Sequence, residues 1–409
     1  MSHRSQFYYS LLLILVSIAI SLAVLIFGHW TVVTVIGIIL LARSVVSFLA
    51  VRQAFANCHF IDNLTGFSRR VQIVPAVSHI STARNESFAI ESAVKSWLST
   101  NYSRYSIICI DDVSSDDTLL KLNNLCDKDE RLRILESPFK IKDWIRKSSA
   151  LWQAVGITPL DTRWILFTDA DIHINPSTVS KAVSYAESRG IDFLTCIPKS
   201  KNKTFFESLM LADIWERQIR LIGLSLMGLG PPLVFGIGGF ILVKKSAYLF
   251  SGGHSKYPNS HPEDNLLARA VAESGFHLGV LFSNGEVSFR YYTNPRDILV
   301  GMWKKHLVAL NFYRKRAILK TINIYFEEVF PLFAVMLLFD SSAVLIWLVI
   351  YLVTYLKKLK LSKISTSTKL TLVLYPVGSL VKLGIQLFAI IFTLIGKKMT
   401  LDGRFTEIL

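Results

Sequence analysis

Two aspartates separated by one residue, Asp169 and Asp171, follow an apolar run in the segment WILFTDADIHINPS (164–177). Carboxylate oxygens suit Mg²⁺ or Mn²⁺, and Mg²⁺ is usually held by one or two carboxylates together with the phosphates of a substrate. The spacing therefore indicates a divalent cation bound by Asp169 and Asp171 together with a diphosphate. Asp-x-Asp is common by chance, and a strand end that enters water is the alternative interpretation.

A second acidic segment, DDVSSDDT (111–118), follows a β-rich run. Asp112 stands at the predicted tip of that strand, where its carboxylate could accept hydrogen bonds from a base or a ribose. The alternative is ordinary helix capping, for which Ser115 and Asp116 are suitable residues.

A third acidic pair, Glu263 and Asp264, opens the helix-like segment EDNLLARAVAESG (263–275). One of these carboxylates could act as a general base that removes a proton from an acceptor hydroxyl. The alternative is that both acids only stabilise the first turn of the helix through its dipole.

Basic and glycine-rich segments give weaker indications. Lys147 lies in WIRKSSALWQAVG (144–156), where a solvated helix lysine is the alternative to a functional one. The glycines of FGIGGFILV (235–243) permit a close approach of the backbone or a simple turn. The segment FRYYTNPRDILVGMWKKHL (289–307) is basic and amphipathic, which suits a helix at a membrane interface. The histidines lack the spacing of a zinc site.

Strand-like and helix-like stretches alternate through the middle of the chain. The predicted strands are 71–77, 106–110, 133–135, 164–168 and 191–197, and the predicted helices are 86–100, 115–126, 148–155 and 177–188. This alternation predicts βαβ units, hence an α/β fold with a mostly parallel sheet. Ligands of such sheets bind at the carboxyl ends of the strands, where Asp112, Asp169 and Asp171 are expected.

The apolar residues are concentrated at both ends of the chain. Hydrophobic residues make up 51% of the sequence, and its mean hydropathy is +0.42. The apolar runs are 7–27, 31–41 (or to 51), 330–339, 343–356 and 370–395. We expect an N-terminal membrane anchor over 1–57, a globular domain over 58–322 and a C-terminal membrane region of two to three helices over 323–409. A signal peptide is the alternative for the first run.

The net charge of +15 is concentrated near the C-terminus, because residues 290–409 contain 17 Lys and Arg but 6 Asp and Glu. Lys357, Lys358 and Lys360 flank an apolar run, a pattern that favours the cytoplasmic side and anionic lipids over nucleic acid. We therefore expect a multi-pass protein of the plasma membrane with a cytoplasmic globular domain. Four cysteines without paired spacing indicate free thiols in a reducing compartment.

Together these motifs resemble the family 2 glycosyltransferases, which have a GT-A fold. STARNES (81–87) is similar to the first strand-to-helix segment of that family, and DDVSSDDT to its Asp-Gly-Ser-x-Asp-x-Thr turn, with Val113 in place of Gly. GGHSKYPNSHPEDNLLA (252–268) is similar to its acceptor region. The segment 289–307 and LDGRF (401–405) resemble the membrane glycosyltransferases of the carotenoid and hopanoid pathways and, more distantly, ceramide glucosyltransferases.

The resemblance implies an inverting transfer of a sugar from a nucleotide-sugar, most often a UDP-sugar, to a lipid in the membrane. It implies that Glu86 and Asp112 contact the uridine and that Lys147 adds positive charge near the donor. Asp169 and Asp171 would hold Mg²⁺ or Mn²⁺, and Asp264, preceded by Glu263, would be the base.

Three alternatives stay open from the sequence. A polysaccharide synthase would ordinarily carry a Gln-x-x-Arg-Trp motif, which this chain lacks. Transfer to a polyprenyl phosphate is a second possibility, for which Arg296 or Lys304 could bind the phosphate. A non-catalytic membrane scaffold with the same fold is the third, although the acidic residues of the motifs are all present.

Overall fold

The structure is a computed structural model that describes residues 30–66, 74–136, 141–292, 294–312, 314–331, 344–394, 397–399 and 405–407. The chain divides into two units by its internal contacts. The sheet unit comprises Ala54–Lys201 and Leu224–Tyr291, and the helical unit comprises the described residues of Met1–Gln53, Asn202–Gly223 and Tyr292–Leu409. By these contacts residues 202–223 and 292–322 group with the helical unit, and the predicted domain boundaries stay a prediction.

The described strands, in chain order, are β1 (His59–Phe60), β2 (Ala76–Ala83), β3 (Tyr105–Asp111), β4 (Leu132–Glu136), β5 (Thr162–Asp169), β6 (His173–Ile174), β7 (Phe193–Ile197), β8 (Lys199–Ser200), β9 (Ile241–Lys244), β10 (Leu278–Phe282), β11 (Val287–Phe289), β12 (Lys397–Met399) and β13 (Phe405–Glu407). The described α-helices are α1 (Trp30–Asn57), α2 (Ile90–Leu98), α3 (Thr118–Cys126), α4 (Arg146–Gly156), α5 (Thr178–Arg189), α6 (Phe205–Leu211), α7 (Glu216–Leu226), α8 (Lys245–Phe250), α9 (Glu263–Glu273), α10 (Pro295–Phe312), α11 (Arg314–Ile324), α12 (Val344–Leu361), α13 (Lys369–Val373) and α14 (Tyr375–Leu394).

An eight-stranded sheet is the centre of the sheet unit, with the strand order β1-β10-β7-β9-β5-β2-β3-β4. Its pairings are parallel except those of β9, which runs antiparallel to both β5 and β7. The prediction of an α/β fold with a mostly parallel sheet is therefore confirmed. A smaller sheet has the order β6-β11-β8.

Helices α4 and α9 cover the same apolar face of the central strands. Ile80 of β2, Ile165 and Phe167 of β5 pack in one core with Leu151 of α4 and Leu267 of α9. This packing fixes the two helices that supply Lys147 and the acidic pair Glu263–Asp264 against the strands that end in aspartates.

Strand β2 is displaced from its predicted position. It covers Ala76–Ala83 rather than 71–77, and residues 71–73 lie outside the described part of the chain. Every residue of the strand except Thr82 is buried. Ser78 and His79 are tolerated there because their side chains form hydrogen bonds with Thr162 and Thr168 of β5. A buried strand that contains polar residues lacks the hydropathy pattern on which the prediction depended.

The other predicted elements agree more closely with the structure. Strands β3 and β5 end at Asp111 and Asp169, each one residue beyond the predicted end, and α9 begins at Glu263 as expected. Helix α2 is shorter than predicted, since it begins at Ile90 rather than at Glu86. All four cysteines are free, as predicted.

The helical unit contains most of the described apolar segments. Two described helices are long and apolar enough to cross a bilayer, Thr34–Asn57 with 24 residues and Tyr375–Thr393 with 19. The predicted run 7–27 and most of 330–339 lie outside the described residues. The described part of the apolar run 370–395 is divided between two helices, α13 and α14.

Buried ion pairs connect several segments of the helical unit. Asp213, between α6 and α7, accepts from Lys358 of α12 at 2.8 Å and from Lys382 of α14 at 2.5 Å. Glu216 of α7 lies 2.6 Å from the ammonium of Lys357. These carboxylates and ammonium groups compensate one another away from water, as buried charges must.

The burial of Lys357 and Lys358 corrects one expectation from the sequence. Their side chains are 1% and 3% exposed, so their charges face carboxylates inside the unit rather than a lipid surface. A lysine pair beside an apolar run is therefore not a surface charge in this fold.

Candidate active site

The carboxyl ends of β2, β3 and β5 bring three of the predicted acidic residues to one edge of the sheet. Asp169 is the last residue of β5 and lies opposite Thr82 of β2. Asp112 follows β3 directly, and its N–H donates to the carbonyl of Ala83 at 2.8 Å. Asp171 lies two residues beyond the end of β5. Parallel register thus places these side chains where ligands of such sheets bind.

Lys147 of α4 joins two of the predicted site residues. Its ammonium lies 2.8 Å from Asp169 Oδ1 and 2.8 Å from Glu263 Oε1. Burial acts to lower the pKa of Lys147, but the two carboxylates raise it well above its ordinary value, so the side chain is charged. The end of β5 and the start of α9, 94 residues apart in sequence, therefore meet at the ammonium group of Lys147.

The surroundings of the two adjacent carboxylates of α9, Glu263 and Asp264, shift their pKa values in opposite directions. Burial raises the pKa of Glu263, but Lys147 and a contact with His261 Nδ1 at 3.3 Å bring it well below its ordinary value. Burial, followed by the charge of Glu263, raises the pKa of Asp264, although backbone N–H donors oppose this. When neighbouring carboxylates have pKa values that are pushed apart, the one with the raised pKa is the better proton acceptor near neutral pH.

The glycine segment 235–243 passes between the predicted base and the predicted cation ligand. The N–H of Gly238 donates to Asp264 Oδ2 at 2.9 Å, and a Cβ at Gly238 would lie 3.2 Å from Asp169 Oδ2. A Cβ at Gly236 would lie 2.3 Å from the carbonyl oxygen of Asp264, which is a severe clash. The close approach that the sequence left open is therefore real, and these glycines belong to the site.

Glu86 lies near the aspartates, in the turn between β2 and α2. Its N–H donates to Thr118 Oγ1 at 2.8 Å, which ties this turn to the start of α3. Burial, followed by the charges of Asp171 and Asp169, raises the pKa of Glu86 to about 7. Glu86 therefore adds to the concentration of carboxyl groups at this edge of the sheet.

The turn after β3 adopts the conformation that glycine favours, although the sequence has valine there. Val113 has a φ of 58°, a region that sterics disfavour for a β-branched residue. Asn85 of the adjacent turn has a φ of 57°, and its Oδ1 accepts a hydrogen bond from the N–H of Ser115 at 2.8 Å. The backbone of this turn is thus kept despite the substitution, with local strain.

Arg146 lies beside Asp112, and the sequence did not single it out. Its Nε lies 3.3 Å from Asp112 Oδ1, although that oxygen makes no hydrogen bond among the described residues. Burial raises the pKa of Asp112, and the charges of Arg146 and Arg84 oppose the shift. The only sequence signal was its position next to Lys147.

The aspartates of the Asp-Ala-Asp motif fit a divalent cation by the chemistry of their oxygens. The side chain of Asp169 is 43% exposed, and the glycine at position 238 leaves space beside its Oδ2. Two carboxylates are an incomplete ligand set for Mg²⁺ or Mn²⁺, which phosphate oxygens and water commonly complete. This donor set suits a cation that binds together with a diphosphate.

A second acidic group, in the helical unit, is already neutralised by the chain. Carboxylate oxygens of Asp213, Glu216 and Glu328 all lie within 4.8 Å of one another. The ammonium of Lys358 lies 2.8, 4.0 and 3.1 Å from these three residues, respectively. An internal lysine therefore occupies the position in which a metal ion would compensate their charge.

The comparison with protein families agrees with this geometry. Residues 78–250 match the model of the glycosyl transferase family 2 ("Glycosyl transferase family 2"). This range contains most of β2 and all of β3 to β9, and therefore the strand ends that carry Asp112 and Asp169, whereas Glu263 and Asp264 lie beyond it. Residues 78–250 are thus a glycosyl transferase family 2 domain.

Individual relatives are distant. The chain is 24% identical over 243 residues to 4,4'-diaponeurosporenoate glycosyltransferase of Staphylococcus haemolyticus, a match that covers 59% of this chain and 63% of the relative. It is 28% identical over 150 residues to an uncharacterized glycosyltransferase of Haemophilus influenzae, which covers 36% of this chain and 45% of that protein. The matches thus span less than two thirds of these relatives.

Among solved structures, the mannosyltransferase PcManGT from Pyrobaculum calidifontis, in complex with GDP-Man and Mn²⁺, is similar in fold. The TM-score is 0.50 at 14% sequence identity, and the alignment covers 87% of this chain and 99% of that one. Together with the family match, this similarity identifies the fold as the GT-A type that the motifs predicted.

Proposed function

We propose that the protein is an inverting, metal-dependent glycosyltransferase that moves a sugar from a nucleotide-sugar to a lipid acceptor in the membrane. The observation that carries the proposal is the meeting of Asp169, Lys147 and the acidic pair Glu263–Asp264 at the carboxyl edge of the sheet. A family 2 domain supplies this edge with the strand ends that such enzymes use.

The donor would lie across the ends of β2, β3 and β5. Glu86 and Asp112 would bind the base or the ribose, and Lys147 would attract the diphosphate. Asp169 and Asp171 would hold Mg²⁺ or Mn²⁺. When bound, the cation would neutralise the charge that develops on the leaving diphosphate.

The acceptor hydroxyl would lie beside Asp264. Its oxygen would form a bond to the anomeric carbon while the bond from that carbon to the diphosphate oxygen breaks. Asp264 would take the proton of the hydroxyl, and the configuration at the anomeric carbon would invert in this single displacement. The hydrogen bond from Gly238 to Asp264 Oδ2 would orient the carboxylate for this step.

A lipid acceptor is supported by the apolar segments of the chain and by one relative. Two described helices are long and apolar enough to cross a bilayer. The relative from Staphylococcus haemolyticus is named 4,4'-diaponeurosporenoate glycosyltransferase. We accordingly place the protein in the plasma membrane with the sheet unit in the cytoplasm. Anionic lipids would then face the exposed Lys304 and Lys305 of α10.

A transfer assay tests this proposal. The purified full chain is mixed with lipid extract, radiolabelled UDP- or GDP-sugars, and Mn²⁺ or Mg²⁺, and the label in the lipid phase is measured. We expect labelled lipid only when a divalent cation is present, and we expect Asp171→Ala to lower kcat/KM about 100-fold. Asp161→Ala, on the exposed side chain that pairs with Arg104, is the matched control and should behave as wild type.

The same assay can contradict the proposal. Wild-type transfer by Asp171→Ala would exclude the cation assignment, and label in polysaccharide rather than lipid would exclude the acceptor class. Label in a polyprenyl phosphate would narrow the acceptor to phosphorylated lipids.

A further inference from the structure

Lys147 contacts two carboxylates whose side chains differ in solvent exposure. Its partner Glu263 has a side chain that is 14% exposed, whereas Asp169 is 43% exposed. The contact with Glu263 is therefore the more sheltered one, and the contact with Asp169 opens toward solvent. An ammonium held in this way can release Asp169 and remain attached to the start of α9.

The contact with Asp169 interferes with cation binding. Lys147 lies 2.8 Å from Asp169 Oδ1, so a divalent cation that approached this carboxylate alone would meet a positive charge beside it. The carboxylates of Asp169 and Asp171 are also an incomplete ligand set for such an ion. Both facts disfavour cation binding in the absence of a diphosphate.

A diphosphate would reverse this balance. Its oxygens supply the missing ligands for the cation, and its negative charge gives the ammonium of Lys147 a second anionic partner. Movement of the ammonium from Asp169 to the diphosphate would need only a change of rotamer, because Glu263 still anchors the side chain.

We propose that Lys147 acts as an internal counter-cation that blocks Asp169 until a nucleoside diphosphate binds, and that it thereby couples metal binding to donor binding. This inference rests on the proposed function, since it assumes that Asp169 is a ligand of the donor-bound metal. Lys147 would then do more than place a positive charge near the donor, because the metal ion would bind tightly only when the donor diphosphate is also bound.

Direct measurement of Mn²⁺ binding tests the coupling without any turnover. Free Mn²⁺ is quantified by electron paramagnetic resonance while it is titrated into the full chain, first alone and then with UDP or GDP. We expect weak Mn²⁺ binding to the wild-type protein alone and tighter binding with nucleotide. Lys147→Gln should bind Mn²⁺ alone about tenfold more tightly than wild type and should lose most of the enhancement by nucleotide.

Two variants distinguish the effect of the Lys147–Asp169 contact on Mn²⁺ affinity from the effect of any nearby positive charge. Arg146→Gln removes the neighbouring cation, which contacts Asp112 rather than Asp169, and should leave the affinity for Mn²⁺ alone within about twofold of wild type. Lys147→Arg keeps a cation at the site and should not tighten Mn²⁺ binding. Circular dichroism and thermal unfolding confirm that each variant is folded.

The failures of the two proposals are distinguishable. If the folded wild type binds neither UDP nor GDP in the presence of Mn²⁺, the proposed function fails and the coupling fails with it. If the wild type binds nucleotide and Mn²⁺ but Lys147→Gln binds Mn²⁺ alone no more tightly than wild type or Arg146→Gln, the coupling alone is overturned.

Discussion

At the scale of single residues, the site depends on the different surroundings of chemically similar side chains. Glu263 and Asp264 are adjacent, yet Lys147 lowers the pKa of the first while burial and its neighbour raise the pKa of the second. The resemblance named Asp264 as the base, but the residue types alone could not distinguish the two acids, because Lys147 reaches them from another helix.

A buried histidine next to the site has a consequence for stability. His79 Nδ1 lies 2.6 Å from the hydroxyl of Tyr105, and Nε2 lies 2.7 Å from Thr168 Oγ1, one residue before Asp169. Burial lowers the pKa of His79 to about 3. Below the ordinary pKa of about 6.5, the unfolded chain gains a proton that the folded chain does not.

We therefore expect His79 to reduce stability as the pH falls from about 6.5 toward about 3, by up to about 1.4 kcal/mol per pH unit. His79→Gln should be less stable at pH 7, because it loses a buried hydrogen bond, but its stability should fall less steeply with acid. Unfolding in detergent between pH 7 and 4.5 measures both slopes. His277→Gln, whose side chain is 83% exposed in the wild type, is the control, and a slope for His79→Gln equal to that of wild type would contradict the assignment.

At the scale of elements, the glycine segment before β9 holds α9 against the end of β5. Gly236 faces the backbone carbonyl of Asp264, and Gly238 faces both Asp264 and Asp169. The composition of 235–243 indicated a turn or a close approach, and only the folded chain identifies its partners. A side chain at either position would separate two elements that must meet.

Gly236→Ala should therefore displace the start of α9 and abolish transfer, because its Cβ would lie 2.3 Å from a backbone oxygen that cannot rotate away. Nucleotide binding by the same variant should weaken less, since Asp112 and Asp169 lie on other elements. The control is Gly156→Ala, where a Cβ meets no atom within 4 Å. Equal transfer rates of the two variants would show that the close approach is unimportant.

The helical unit depends on another contact between distant elements. Asp213 lies between Lys358 and Lys382, so Asp213→Asn would leave two buried ammonium groups without a full countercharge. We expect a loss of about 3–5 kcal/mol of stability, measured by thermal inactivation in detergent. Restoring the charge balance with Asp213→Asn/Lys382→Met should recover part of the loss. An unchanged midpoint for the single variant would contradict the importance of this network.

At the scale of the whole molecule, the local sequence pattern predicted the strands and helices of the sheet unit well. It predicted the contacts between residues that are distant in sequence less well. Alternation of strands and helices gave the parallel sheet, and strand ends gave the edge that carries Asp112 and Asp169. The same approach misplaced β2, because buried residues such as Ser78 and His79 satisfy their polar groups through partners far away in sequence. It likewise interpreted Lys357 and Lys358 as surface charges, because hydropathy cannot show whether a lysine faces lipid or a buried carboxylate.

The role of Asp264 as the base can be measured directly. The kcat of sugar transfer and the Kd of the nucleotide are measured for Asp264→Asn and for the control Asp161→Asn, with the protein in detergent and the lipid acceptor supplied. If Asp264 takes the acceptor proton, Asp264→Asn lowers kcat by about 10²–10⁴-fold while the Kd of the nucleotide stays within about twofold. A kcat for Asp264→Asn equal to that of Asp161→Asn would show that Asp264 is not the base.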